Sequence, residues 1–479
     1  MPVLHVHDAL IGPEYTPSGP VEIALGPDGT IASIQSAPLP EGPARLAIPA
    51  LADAHNHARP LSTTSFGCGG NPLEHWLPHL AIMPAVDAYL ATAASLGRSL
   101  RGGATSVMIH LTRAMGLKPL PEEARDIARA AADVGVSVGL ALSIRDRNPL
   151  IYGNHEALLG GLDHDTATLA RQTWLKPPPP IEAQLAQVDA VAEALADQPH
   201  VDVQYGPTGV QWCSDALLSA VAEASARTGR RVHMHLLETK PQRDWADAAY
   251  PGGVVAHLAR IGLLSERLTL AHCVWADPDE LRQIAAAGAR IAVNNSSNLH
   301  LFSGRAPLAD MLAADISLAM GLDGCALDED DDGLRELRLL RLLGSAPGFE
   351  AGGMTPALAL KAACRTGRAA LGLPDGGYLA PGLPADLLVL DLGALDRDAL
   401  LPVPASDLLF ARATAAQICD VWAGGRQVMR EGTLTGLDLP ATEDALRAAY
   451  RAALPSTEGL RTAWPAIGAA IGAHYRGCC

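Results

Sequence analysis

His55-Asn56-His57 closes an apolar run that begins near Leu46. Along an extended chain the side chains alternate between faces, so residues two apart share a face. Two imidazoles so placed can grip one cation. The spacing alone is a weak signal, and the chain supplies its own control: His5 and His7 share it. Those two sit in a segment with no candidate third ligand, where a surface strand is the better reading. His55 and His57 differ in their company. A second run closes on His233-Met234-His235, with Glu238 three residues beyond; another ends at His272 and another at Asp323. Imidazoles and carboxylates brought together bind divalent zinc or iron. With one coordination position open, such an ion lowers the pKa of a bound water to about 7, and a nearby carboxylate can carry protons. Metal-assisted hydrolysis is the chemistry these residue types suit. His233 faces the same way as His235, one layer deeper, and is read as a packed or supporting histidine in preference to a fifth ligand.

Residues so far apart in the chain need a scaffold that brings run ends together. Eight short apolar or β-branched runs are expected as strands: Leu46–His57, Ala104–His110, Val136–Ser143, His200–Gly206, Arg231–Leu236, Leu268–His272, Ala289–Asn294 and Ile316–Asp323. Ala/Leu/Glu/Arg-rich segments with helical spacing separate them, such as Ser214–Thr228 and Pro278–Ala287, with Ser214 and Asp277 as expected N-caps. Eight β-α units fit a closed parallel (β/α)8 TIM-type barrel, in which catalytic groups gather at the C-terminal ends of the strands. The flanks read as short strands punctuated by Gly, Pro and Asp. The expected division is a composite β-sandwich domain from residues 1–46 and 374–435, a barrel over 47–373 and a helical extension over 436–479. The Pro177–Pro180 run is expected to be a stiff surface connection.

Taken together, HNH (residues 55–57), HLLE (235–238), AHCVW (271–275) and GLDG (321–324) resemble the amidohydrolase superfamily. Within it they are similar to the branch of cytosine and guanine deaminases and triazine (atrazine-type) hydrolases. NNSSNLHLFSGRAPL (294–308), PGLPADLLVLD (381–391) and VWAGGRQVMREG (421–432) extend the resemblance, which runs from Ile48 to Gly432. One departure is Leu322, where the branch usually has Thr; the aspartate keeps its place. The resemblance implies metal ligands His55, His57, His235 and Asp323, with Glu238 shuttling protons and His272 orienting the attacking water. Two-metal members use a bridging lysine at the end of the fourth strand. The four lysines here are Lys118, Lys176, Lys240 and Lys361, none of them in His200–Gly206. One divalent ion is therefore expected, Zn2+ before Fe2+.

Candidate substrate contacts are Arg59 in the long loop 58–78, His110 at the end of the second run, and Gln211 and Trp212 in GPTGVQWCS. Arg145 after the third run is a further candidate. Trp212 fits a core position as well as a ring-stacking one. The acidic run Asp328–Asp332 reads as a solvated loop before a helix.

A formal charge of −16 argues against a nucleic-acid or anionic-membrane partner, which needs clustered cations. Hydrophobic content of 48% with 18% charged residues describes a compact globule. The eight scattered cysteines suit free thiols in a reducing compartment. The start MPVLHVHDAL lacks the features of a secretory signal, so the cytoplasm is the expected location. The expected partner is a small molecule, and a homodimer is allowed. The expected activity is hydrolytic deamination of an aminated nitrogen heterocycle (pyrimidine, purine or triazine type) by a metal-activated hydroxide. The alternatives are hydrolysis of an exocyclic urea, carbamate or amide and, in another class, a non-catalytic amidohydrolase-like binding protein.

Overall fold

The computed structural model describes residues 2–324, 329–348 and 352–477. Eight parallel strands, β1 (Leu51–Asn56), β2 (Ala104–Leu111), β3 (Ser137–Ile144), β4 (Val201–Pro207), β5 (Val232–Leu236), β6 (Leu268–His272), β7 (Arg290–Val293) and β8 (Ser317–Met320), pair in chain order. The ring closes just beyond the last pair. The Asp323 backbone N–H donates to the His55 carbonyl at 2.8 Å, joining the end of β8 to the end of β1. Ala54, Met108, Ala141, Ala292 and Ala319 pack together as a cluster of mostly small side chains contributed by five of the strands. Branched residues of the alternate set, such as Val107, Ile109, Val138 and Leu140, belong to the large core shared with the surrounding helices.

The expected run Leu46–His57 is two strands. Arg45–Pro49 pairs antiparallel with Leu387–Asp391 in a sheet of the chain termini, and β1 starts only at Leu51. The chain changes sheets at Ala50, whose N–H bonds Asp386 O while the next N–H, that of Leu51, bonds Gly103 O. Pro49, which has no N–H to give a ladder, marks the crossing. Strand β8 is shorter than expected because Gly321–Gly324 leaves the extended conformation. The expected caps form: Ser214 Oγ accepts from Leu217 N, and Asp277 makes a reciprocal capping box with Glu280.

The two ends build a three-stranded sheet and a seven-stranded sheet, the latter mixing strands from both termini. His5 is exposed on the first of these, and His7 accepts a hydrogen bond from Arg45 N. The C-terminal segment forms two helices, Leu439–Ala453 and Glu458–Arg476. Pro177–Pro180 links the helices His164–Trp174 and Ile181–Ala194. Cys68, Cys213, Cys273 and Cys364 are buried free thiols, and Cys419 is a half-buried one. Among the described residues no helix is long and apolar enough to cross a membrane.

The acidic run is less solvated than expected. Asp328 lies outside the described residues. Asp331 is buried and accepts from Ser99 Oγ, and Asp332 is the buried N-cap of helix Gly333–Leu343. The run is pulled inward because Asp331 bonds the helix Ala88–Arg101, whose Arg98 also offsets its charge.

Candidate metal centre

His55 ends on the inner side of β1, and the backbone there is held by an unforeseen neighbour. Asp53 accepts from the N–H of His55 (3.3 Å), the Asn56 amide (2.6 Å) and the N–H of Leu322 (3.0 Å), so one buried carboxylate ties β1 to the end of β8. Leu322, where a Thr was expected, contributes its backbone to this tie. Gly321 permits the close approach: a Cβ there would stand 2.3 Å from Asn294 Oδ1 and 2.9 Å from His55 N.

Each candidate ring is fixed from behind. His57 Nδ1 lies 2.7 Å from His110 O and His235 Nδ1 lies 2.8 Å from Thr208 O. A carbonyl only accepts, so in both rings Nδ1 carries the proton and Nε2 keeps its lone pair. His55 Nδ1 lies 2.8 Å from His233 Nε2, with the two rings stacked, which makes His233 the support of His55. The coordinating atoms of His55, His57 and His235 lie within 4.8 Å of one another, and so do those of His55, His272 and Asp323. Asp323 Oδ1 stands 2.9 Å from His57 Nε2 and 3.4 Å from His55 Nε2.

Burial favours neutral rings. It lowers His55 to about 4 and takes His57, His233 and His235 below the ordinary histidine range, with Arg59 adding to the effect at His57. The neutral His57 ring presents a lone pair, not a proton, to Asp323 Oδ1, and among the described residues His55 Nε2 makes no hydrogen bond. Such an arrangement repels itself unless a cation stands between the lone pair and the carboxylate. Three imidazoles and one carboxylate also form a normal donor set for a divalent ion. The residues present therefore fit a bound metal.

Two groups flank this cluster. Glu238 is buried and raised to about 7 by that burial, with Asp323 and Glu74 pushing the same way against His272. Its Oε2 is 3.7 Å from His272 Nε2, and its Oε1 accepts from Ser303 Oγ at 3.4 Å. His272 Nε2 is 3.8 Å from Asp323 Oδ2, and its Nδ1 is anchored on Asn298 Oδ1 at 2.8 Å. Ser297 Oγ donates to Asp323 Oδ2 at 2.6 Å. His272 (φ 75°) and Asp323 (φ 63°) adopt left-handed backbone conformations, which cost about 1–3 kcal/mol each and turn these side chains inward past the strand ends.

A cavity of about 740 Å³ reaches the cluster at His57 and has Arg59, Arg145 and Trp212 in its wall, while His55, His235, Asp323, Glu238 and His272 lie outside its lining. Arg59 lies over the Trp76 ring at 4.7 Å, and Trp212 packs edge-on against Tyr152. His110 and Gln211 are fully buried and outside that wall; the His110 ring sits behind the cluster, 4.8 Å from that of His235. Glu74 was missed, although it is the one acid in the loop 58–78. It is buried in the cavity wall, bonded to Thr239 and Tyr152, and raised to about 7 by burial.

A (β/α)8 barrel with a histidine-rich cluster able to hold a metal at its C-terminal mouth and a sandwich of both termini defines a class of hydrolase folds. Residues 46–428 match the Amidohydrolase family, and the chain belongs to that family. It is similar to an 8-oxoguanine deaminase of Pseudomonas aeruginosa, 29% identical over 411 residues that cover 85% of this chain and 87% of the relative. A 5'-deoxyadenosine deaminase of Methanothermobacter thermautotrophicus is 27% identical over 458 residues, 90% of this chain and 94% of the relative. A 5-methylthioadenosine/S-adenosylhomocysteine deaminase of Nitratidesulfovibrio vulgaris is 31% identical over 269 residues, a match spanning 56% of this chain and 61% of that relative's length. A zinc-bound adenosine deaminase from Xanthomonas campestris shares the fold, with a TM-score of 0.78 at 23% identity over 95% of this chain and 98% of that one.

Proposed function

We propose that the chain is a metal-dependent deaminase that hydrolytically removes an amino group from a nitrogen heterocycle. The observation that carries this reading is the meeting of imidazole lone pairs and a carboxylate beside Glu238, an acid raised to about 7. His55, His57, His235 and Asp323 would hold one divalent ion, zinc in preference to iron. When bound, the ion supplies a Lewis acid and makes a water acidic enough to ionise near neutrality.

The chain's own groups handle the protons. Asp323, whose Oδ2 is steadied by Ser297, takes a proton from the attacking water. His272, held by Asn298, orients that water between Glu238 and Asp323. Glu238, half protonated near pH 7, gives its proton to the ring nitrogen beside the attacked carbon. Asp323 then returns its proton to the leaving amino group, which departs as ammonia, and the hydroxyl proton left on the ring carbon passes back to Glu238, so the carbon keeps the water oxygen as a carbonyl and both carboxyls regain their starting state. Arg59 and Trp212 are proposed substrate contacts in the cavity wall, and His110 and Gln211 are proposed to act from behind it. The two relatives matched over most of their length are both named deaminases, which supports the reading. Four buried free thiols fit a reducing compartment, and the cytoplasm is the proposed location.

The test is a panel of aminated pyrimidines, purines and triazines offered to the zinc-loaded protein, with ammonia and amines both assayed. Ammonia release from one class supports the reading. Release of an amine or alcohol without ammonia assigns the site to urea, carbamate or amide hydrolysis instead.

A further inference from the structure

The C-terminal helices lie beyond residue 428, where the family match stops, yet they help to wall the cavity. Tyr450 of the first, Leu460 and Tyr475 of the second, and Thr457 between them all face it. These helices pack on the loops of the barrel mouth. Trp464, Ile467 and Ile471 share a separate core with Cys68, Leu73 and Trp76 from the loop after β1 and with Leu150 and Ile151 after β3. Trp464 stacks on His79 at 4.2 Å, and Leu446 and Tyr450 join Val86, Ala91 and Ala94 in another small core. The Tyr475 hydroxyl accepts the Tyr152 N–H at 3.1 Å, across 323 residues of sequence. Tyr152 in turn packs on Trp212, and Trp212 on His235. Tyr475 is thus one end of a row of rings whose other end is the metal cluster.

The space enclosed is large. A volume of about 740 Å³ lies in the upper part of the range that holds drug-sized ligands, roughly 300–1,000 Å³, and exceeds what one bare heterocyclic base fills. Resting on the deaminase reading, we propose that the C-terminal helices are the specificity element of this enzyme. They select a heterocycle carrying a substituent of about its own size, which extends from the ring position near His57 and Trp212 to Tyr475 and Leu460. Tyr475 acts in two ways, as a wall for the substituent and as the anchor that positions Tyr152.

Zinc-loaded full-length Glu238→Gln protein tests this by calorimetric titration with adenine, guanine and cytosine and with their ribosides, since binding is then read without turnover. The expected result is that at least one riboside binds about tenfold or more tighter than its base, equivalent to one decade in Kd. Tyr475→Ala in the same background removes most of that ratio, and Tyr475→Phe, which keeps the ring, restores most of it. Leu460→Trp, which narrows the same wall, lowers the ratio independently should Tyr475→Ala fail to fold. Bases binding as tightly as ribosides, or a ratio that neither wall variant moves, overturns the inference. The two readings fail separately. Ammonia release by the wild type with a ratio near one sinks the specificity element alone, whereas a preserved ratio with no ammonia from any compound sinks deamination alone.

Discussion

Among the described residues the Glu238 carboxylate accepts from Ser303 and faces His272 across 3.7 Å, which leaves it placed to exchange a proton with a bound ring. Glu238→Gln is expected to lower the rate of ammonia release by about 10²–10⁴-fold, the usual worth of a positioned acid-base group. Metal content, measured by elemental analysis, should stay unchanged. His233 makes the opposite prediction. It touches His55 from behind, so His233→Ala should weaken metal affinity by about 10–100-fold, read by competition with a chelator. These side chains were legible in the sequence because ligand types recur at run ends, and His5 with His7 showed what the same spacing means without company. Their supports were not legible. The carbonyls of His110 and Thr208 belong to backbone that every residue has, and the left-handed turns at His272 and Asp323 fall on residue types that give no warning of them.

Elements hold these residues through close contacts that a small change would disturb. Gly321→Ala places a methyl group against Asn294 and His55, and should cost about 1–3 kcal/mol in denaturant unfolding together with metal affinity. Glu336, on helix Gly333–Leu343, accepts from the N–H groups of Asn295 and Ser296 and so seats the short helix that carries Ser297 and Asn298. Burial raises its pKa from 4.5 to about 7, against the hydrogen bonds of Ser296 and Asn295. A folded pKa above the unfolded one means that the folded state holds the proton more tightly. The stability this group contributes is therefore full below pH 4.5 and lost as pH rises through 7, on the order of a few kcal/mol. Thermal melts from pH 5 to 8 should show the decline, and Glu336→Gln should lessen it, leaving the part due to Glu74 and Glu238. Most elements could be read from periodicity and caps, as Ser214 and Asp277 illustrate. The break at Ala50 could not, since an apolar run looks the same whether it stays in one sheet or passes into another.

At the scale of the molecule, barrel closure and the joining of both termini depend on partners hundreds of residues apart. A count of eight runs implied the first, and the short strands at each end suggested the second. The contact of Tyr475 with Tyr152 left no sequence signal, because two tyrosines at unrelated positions carry no spacing to read. A bound metal would join the scales, since without a cation the carboxylate of Asp323 faces the lone pair of the neutral His57 ring. Zinc at a thousandfold excess over its Kd should stabilise the fold by about 4 kcal/mol, seen as a rise in Tm that a chelator reverses. The most direct test of the account is ammonia release from the heterocycle panel by chelator-stripped protein titrated with zinc. The account predicts release that climbs with added zinc and saturates at one equivalent per chain. Absence of ammonia at every zinc level, or a requirement for a second equivalent, would contradict it.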